Sequence, residues 1–360
     1  MKVKSLKLNN YRNYSGVQVD FSDGLNIIKG SNAQGKTNLI EAIYMCSIGK
    51  SLRASKERQT IKWNEERAKI ELEVEKKFGK STIEIILSKS EKKTVRINKI
   101  PIKKIGELMG ELNAVFFSPD ELKLIKESPE DRRRFMDISI SQMSKAYFYL
   151  LSKYEKILAN RNKLLKQGLE REKLIDTLSI WNEQLARTGS KIILSRIHFL
   201  EKLAPYAELS HKYLTSDAET LALEYTGLKG ETEEEIKQKF LQALDKSLEK
   251  DLKLCFTSVG PHRDDIKVSV NGIDVRAFGS QGQQRTCALS LKLAELEIIE
   301  QHTGEKPILL LDDVLSELDS SRKKRLLNFC KKTQTFLTCT EFEGSADRVF
   351  IIKNATIEKA

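Results

Sequence analysis

The sequence predicts a mixed α/β fold interrupted by an all-helical insertion. Three observations predict it. The apolar run "LNII" (25–28) leads through the glycine-punctuated loop "GSNAQGKT" (Gly30–Thr37) into "NLIEAIYMCSI", whose apolar residues are spaced as in a helix. A second apolar run, "ILLL" (308–311), ends in two carboxylates, Asp312 and Asp313. Between them, over 119–250, apolar residues recur at three and four rather than at two.

Taken in order, residues 1–118 read as a strand-rich first lobe. "KVKSLKLNNY", "AKIELEVEKK", "STIEIILSK" and "KTVRINKIPI" alternate with period two and are separated by turn residues. Residues 119–250 change character. "SPEDRRRFMD" begins with Ser128, Pro129 and two acids, a helix start, and apolar positions from Phe135 to Leu158 then recur with helical spacing. One continuous helix of about 30 residues would span ~45 Å. Two further helical stretches, 178–203 and 232–252, complete an insertion read as an arm. Residues 251–360 return to strands. "IKVSVNGIDVRAF" predicts a strand, an Asn271-Gly272 turn and a second strand. A helix then follows "GSQGQQRT", and "ILLLDD", "TQTFLTCTEF" and "DRVFIIKNATIEK" supply further strands.

Composition bounds the function. At 360 residues and 40% hydrophobic the chain can build a sizeable core, and no apolar run is long enough to span a bilayer. The N-terminus has no apolar signal core, and the five cysteines are scattered without a C-x-x-C pair. A reducing cytoplasm is therefore expected, with no disulfide framework, zinc site or membrane partner. The net charge of +11 is uneven. Residues 1–118 hold 23 Lys and Arg against 13 Asp and Glu, whereas 119–250 hold 23 against 22 and 251–360 hold 16 against 16. A basic first lobe suits a polyanion such as nucleic acid.

"GSNAQGKT" fits the phosphate-binding pattern G-x-x-x-x-G-K-[ST] in its strand–loop–helix context. Gly30 and Gly35 let the backbone of Ser31, Asn32, Ala33 and Gln34 curl so that its N–H groups meet phosphate oxygens, with Asn38 at the start of the helix. Lys36 is expected to reach the β- and γ-phosphates of ATP, and Thr37 to ligate Mg²⁺. Asp312, at the end of its strand, is expected to hold the Mg²⁺, and Asp313 to orient or deprotonate the attacking water.

The loop "GSQGQQRT" (Gly279–Thr286) is a second helix start able to meet an anion. Two such loops would compete for one phosphate within one chain. A head-to-tail homodimer resolves this. Ser280 and the N–H groups around Gly282 and Gln283 of one copy would then cap the γ-phosphate held by the other, twice over by symmetry.

With these residues on the page, the chain resembles the ABC-type ATPases. "GSQGQQRT" is similar to their signature loop and "SELD" (Ser316–Asp319) to the loop after the metal-binding acids. "LNNYRNY" resembles the opening of SMC-like repair ATPases, which implies that Arg12 approaches the nucleotide. "SPDEL" (Ser118–Leu122), "SPEDRRRFMD" and "GPHRDD" (Gly260–Asp265) extend the resemblance over the whole chain to one family, the bacterial RecF proteins of DNA repair. The resemblance implies an ABC/SMC-type head, ATP-dependent dimerisation on single-stranded, double-stranded, gapped or junction DNA, and cooperation with RecR and RecO in loading recombinase. The chain departs from the ABC pattern in three places. Ser118 stands where many such ATPases carry glutamine, Thr338 and Thr340 stand near the usual switch histidine, and Asp313 replaces the common glutamate. The shorter carboxylate and the missing histidine imply slow hydrolysis, a timing switch rather than a motor, and the resemblance implies that DNA stimulates it.

Within the basic lobe, Lys50, Arg53, Lys56 and Arg58 follow the phosphate-loop helix and are the candidate DNA contacts. The consecutive Arg132, Arg133 and Arg134 point in different directions from a helix, and one of them is expected to tie the arm to Asp264 or Asp265. Two other readings stay open. One is a transporter-associated ABC ATPase, which does not explain the basic lobe. The other is a P-loop kinase for a small acceptor, which leaves "GSQGQQRT" and "SELD" without a purpose.

Overall fold

The structure, a computed structural model, describes residues 1–167 and 170–359. The first part of the chain forms β1 (Lys2–Tyr11), β2 (Tyr14–Asp20), β3 (Leu25–Lys29), α1 (Lys36–Ile48), β4 (Arg67–Lys76), β5 (Gly79–Ser88), β6 (Thr94–Ile97), β7 (Ile100–Pro101) and β8 (Ala114–Phe117). The alternating strands join one antiparallel sheet in the order β2-β1-β4-β5-β6-β7. Its period-two pattern puts Val3, Leu6, Leu8, Ile70, Leu72 and Ile85 on the buried face.

The insertion comprises α2 (Lys123–Lys126), α3 (Pro129–Met143), α4 (Lys145–Leu165), α5 (Arg171–Thr215), β9 (Leu221–Thr226), α6 (Glu233–Lys246) and α7 (Leu248–Leu254). Two expectations are corrected here. The continuous helix through 129–158 breaks at Ser144, whose extended backbone caps α4 and whose hydroxyl accepts from Tyr147 N at 3.3 Å. Nor is the insertion helical throughout. "LALEYT" alternates, burying Leu221 and Tyr225, and pairs antiparallel with β10 (Asp265–Val270). The longest element, α5, has 45 residues and spans about 68 Å.

The rest of the chain is β11 (Ile273–Asp274), α8 (Val275–Phe278), α9 (Gln281–Thr303), β12 (Ile308–Asp312), α10 (Ser320–Cys330), β13 (Thr335–Cys339), β14 (Arg348–Lys353) and β15 (Thr356–Lys359). The strand expected after Asn271-Gly272 is cut to two residues. The Asp274 carboxylate accepts from Arg276 N at 2.8 Å and Ala277 N at 3.2 Å, which caps a helical turn instead.

A second six-stranded sheet, ordered β15-β14-β3-β13-β12-β8, is built from both ends of the chain. All of its neighbours are parallel except β14 and β15. Parallel sheets are covered on both faces, which explains strands that read as unbroken apolar runs. Along β12, Leu309 and Leu311 pack toward α9, α5 and α3, whereas Ile308 and Leu310 pack toward α1 and the antiparallel sheet. The phosphate-loop helix is thus clamped between two sheets.

Charged side chains tie the arm to the head. Arg132 meets Asp265 with two bonds (Nε to Oδ1 2.5 Å, NH2 to Oδ2 2.9 Å), and Arg133 donates to the Asp264 carbonyl at 2.7 Å. Arg196 of α5 is buried against Asp137 and donates to the Pro261 carbonyl at 2.6 Å. Beside them, His262 shares one ring nitrogen with the Tyr154 hydroxyl (2.8 Å) and the other with the Thr257 carbonyl (3.0 Å). A neutral ring that donates to Thr257 and accepts from Tyr154 satisfies both, and a second ring proton would lose the Tyr154 bond. Burial, and then the charges of Arg263, Arg133 and Arg196, push His262 down to about 4. A depressed pKa contributes stability above the ordinary value of 6.5, and that contribution is lost as pH falls toward 4. Acidification from pH 6.5 to 4 should therefore cost about 2–3 kcal/mol through this one group. A His262→Gln variant should show a flatter midpoint-against-pH curve over that window in thermal unfolding, and an equally steep curve would remove His262 as the cause.

Candidate nucleotide site

The site lies at the C-terminal ends of β3, β12 and β13, where parallel α/β sheets place ligand chemistry. Loop 30–35 turns sharply out of β3. Gly30 N bonds Cys339 O at 3.2 Å, and a Cβ at Gly30 would lie 2.5 Å from the Ile352 carbonyl. Gly35 has φ +116°, and a Cβ there would meet Asn13 Nδ2 at 2.8 Å and the Tyr14 hydroxyl at 3.0 Å. Both glycines are thus required by close packing. Ser31, Asn32 and Ala33 form the exposed crest, with Ala33 in the left-handed region at φ 65°.

The turn between β1 and β2 braces the loop from one side. Asn13 donates to the Gln34 carbonyl (3.2 Å), Tyr14 to the Gly35 carbonyl (3.1 Å), and Asn38 to Asn13 (2.9 Å). The β14–β15 hairpin braces it from the other. Asn354 N donates to the Gln34 side chain at 2.5 Å and Ala355 N to its carbonyl at 3.2 Å. Lys36 is buried, with Nζ on the Gly30 carbonyl and 3.3 Å from the Ser31 carbonyl. Its ammonium therefore sits across the loop, where the phosphate reading requires a cation.

Thr37 and Asp312 lie 275 residues apart in sequence and meet with Oγ1 to Oδ1 at 2.9 Å. Thr338 donates to the same carboxylate oxygen at 2.7 Å, and its hydroxyl accepts from Asp313 N at 2.9 Å. Burial pushes the Asp312 carboxyl up from the ordinary range, against the pull of Thr338, Thr37 and the Arg53 charge. One hydroxyl and one carboxylate oxygen form a hard donor pair that suits Mg²⁺, which commonly takes its remaining ligands from phosphates and water. Among the described residues no group of three His, Cys, Asp or Glu side chains forms a denser cluster. Asp313 takes φ +51°, and its carbonyl accepts from Ser316 Oγ at 2.8 Å, so that "SELD" begins on the acid pair itself.

Several contributors escaped sequence reasoning. Glu41, almost fully buried one turn after Thr37, accepts from Arg12 (NH2 to Oε1 2.9 Å) and from Ser51 Oγ at 2.6 Å. Arg12 is therefore placed beside the loop by an acid whose only sequence signal was its spacing from the loop. Thr338, noted above only for standing near a histidine position, is the hinge of the acid pair. Thr37, Arg53, Ser118, Arg134, Asp312 and Asp313 line one cleft of about 610 Å³. Arg53 thus faces the acid pair. Lys50, Lys56 and Arg58 are exposed on the same segment.

Ser280 caps α9. Its hydroxyl accepts from Gln283 N at 3.2 Å, and the Gln283 side chain accepts from Ser280 N at 3.0 Å. The loop is tied to the arm by Gln283 to Glu219 (2.9 Å) and to the "SELD" segment by Arg285 to Glu317 (3.2 Å). Among the described residues, no hydrogen bond or ion pair joins 279–286 to 30–38. A Cβ at Gly282 would have nothing nearer than 3.9 Å, so packing within this chain does not demand a glycine there.

Known proteins resemble this chain along its whole length. Residues 2–346 match the family described as the RecF/RecN/SMC N terminal domain. The chain is 48% identical over 351 residues to the DNA replication and repair protein RecF of Alkaliphilus oremlandii, covering 96% of this chain and 95% of that one. It is 44% identical to the protein of the same name from Acetivibrio thermocellus, covering 97% and 96%. Among solved structures, the recombination mediator protein RecF-ATP in the RecFOR pathway superposes with a TM-score of 0.93 at 40% identity, covering 100% of this chain and 97% of that one. An Smc head bound to the C-winged helix domain of ScpA shares the fold, with a TM-score of 0.59 at 17% identity.

Proposed function

This chain belongs to the bacterial RecF family and has an ABC/SMC-type ATPase head, and from that premise we propose that it is an ATP-dependent switch on DNA in recombinational repair. One observation carries the reading. The chain has a loop of the phosphate-binding pattern beside its Thr37–Asp312 pair, and a separate, capped helix start at the exposed Ser280 that, among the described residues, no hydrogen bond or ion pair joins directly to that loop. In this reading Lys36 and loop 30–35 hold ATP, and Thr37 and Asp312 hold Mg²⁺. Asp313 positions water, and Ser280, Gly282 and Gln283 of a second copy close over the γ-phosphate. The open space at Gly282 supports an approach from outside the chain.

The basic first lobe supports binding along the DNA backbone, with Lys50, Lys56 and Arg58 as contacts and strong salt dependence. Arg53 serves the nucleotide cleft as well as the DNA-facing segment. The RecFOR pathway of the solved relatives supports RecR and RecO as partners in loading recombinase at gaps and single-strand/double-strand junctions. Hydrolysis that is slow and stimulated by DNA completes the cycle by releasing the dimer. Among the described residues no helix is long and apolar enough to cross a membrane.

Light scattering tests the switch. Monomer is expected without nucleotide and with ADP, and dimer with ATP and Mg²⁺. Ser280→Arg should hold ATP yet stay monomeric, because the added side chain fills the space a second nucleotide needs. A monomer in saturating ATP, with and without DNA, would discard the shared site. The same samples give turnover, and a rate on the order of tens per second would exclude a timing switch.

A further inference from the structure

Trp63 is 90% exposed, the most exposed of the large hydrophobic side chains among the described residues. An exposed indole loses apolar contact unless a partner covers it, and its position here is held firmly. Arg12 N bonds Thr60 O at 2.7 Å and Lys62 N bonds Asn10 O at 2.8 Å, so residues 60–62 run antiparallel to the end of β1. Just beyond, Glu65 N bonds Lys62 O at 3.1 Å across a turn with Asn64 at φ 64°, and the Asn10 side chain holds Glu65 at 2.9 Å. The indole therefore stands on a hydrogen-bonded turn.

The segment that leads to it is strongly basic. Residues 50–62 carry five cations against one acid, Glu57, which is itself paired with Lys93 at 2.5 Å. Among the described residues Lys50, Lys56 and Arg58 have no carboxylate partner. Phe78 is nearly as exposed, but Lys77 already lies over its ring at 5.4 Å and the flanking Lys76 and Lys80 are paired with Glu111 and Glu73. The start of the segment reports to the nucleotide site, because Ser51 and Arg12 share Glu41.

We infer that Trp63 is a stacking platform for an unpaired DNA base, placed beside a backbone-binding segment that begins at the nucleotide site. An exposed aromatic face on a segment that carries unpaired cations is the combination that single strands recognise without sequence preference, each stacked base adding to phosphate attraction. Charge complementarity favours this occupant over an apolar protein surface. The inference rests on the DNA-binding reading above and adds to it. Lys56 and Arg58 would hold any backbone, whereas Trp63 would discriminate a single strand from intact duplex.

The chain has two tryptophans, and the other, Trp181, is half-buried in the arm. In a Trp181→Phe background, emission therefore reports Trp63 alone. Adding oligo(dT) or gapped DNA should quench it, and blunt duplex should quench it far less. Trp63→Ala in the full chain should weaken binding to single-stranded and gapped DNA roughly five- to a hundredfold, with duplex affinity kept, and Trp63→Phe should restore most of the loss. Replacing Lys56 and Arg58 by Ala should weaken single-stranded and duplex DNA alike. Wild-type binding to gapped DNA with unquenched emission and an unaffected Trp63→Ala would overturn the stacking role alone, leaving the indole to a protein partner. A wild-type protein without salt-sensitive DNA binding would overturn the underlying reading together with it.

Discussion

Asp312→Asn is expected to abolish Mg²⁺-dependent ATP turnover, by on the order of a hundredfold or more, while leaving the fold intact. The Asp312 Oδ1 atom accepts from both Thr37 and Thr338, and an amide oxygen can accept both bonds in the same place. What the variant removes is the charge. Burial raises the pKa of this carboxyl, so in the absence of a cation its ionised form is disfavoured in the folded state. The sign follows from linkage. A carboxyl whose folded pKa lies above its unfolded value opposes folding once pH exceeds the folded value, and neutralising it relieves that cost. Metal-free Asp312→Asn should therefore unfold at the wild-type temperature or above it at neutral pH, and should gain less than wild type from added Mg²⁺ with ATP. Calorimetry with and without Mg²⁺–ATP, alongside phosphate release, checks both halves. Near-normal turnover would show that Asp312 is an ordinary buried acid. A marked loss of stability would show that its charge serves the fold.

The second large effect concerns the base of the arm. Arg161 of α4 and Asp251 of α7 are both fully buried and meet at 2.8 Å. The guanidinium also bonds Asn182 of α5 (2.8 Å) and Thr257 (2.7 Å), and Asp251 accepts from Ser258 through its N (2.9 Å) and Oγ (2.6 Å). One ion pair thus joins three helices to the segment that leads back into the head. Asp251→Ala would leave Arg161 charged and enclosed, at a cost of about 3–5 kcal/mol. Replacing both, as Arg161→Met with Asp251→Leu, should cost much less, because the desolvation of two charges is then no longer required. Urea unfolding of the single and double variants measures the difference. A single variant that unfolds at the wild-type midpoint would show that water or a rearranged acid reaches the guanidinium.

These two sites differ in how much of them could be read in advance. The phosphate loop was legible because its chemistry is local. Gly30, Gly35, Lys36 and Thr37 lie within eight residues, and each is demanded by the backbone path or by phosphate. Asp312 was legible because a strand buried on both faces leaves four apolar residues in a row and an abrupt acid at its end. The arm's helices were legible from their spacing. The break at Ser144 was not, because only the capping bond to Tyr147 stops the helical pattern there. The strand β9 lies within the helical insertion, and it needs β10, some forty residues later, to pair with.

By itself, then, the sequence determined most element types, the pattern of the glycine loop and the excess of positive charge on the first lobe, since period, turn chemistry and composition act over a few residues. Only the tertiary structure decided which distant groups meet. It placed Glu41 under Arg12 and Ser51, Thr338 on Asp312 and Arg161 on Asp251, and it chose Arg132 and Asp265 from among the arginines and acids expected to meet. These pairs have no local signature. A buried polar group is stable only with a partner, and which partner it finds depends on how strands from both ends of the chain assemble into one parallel sheet.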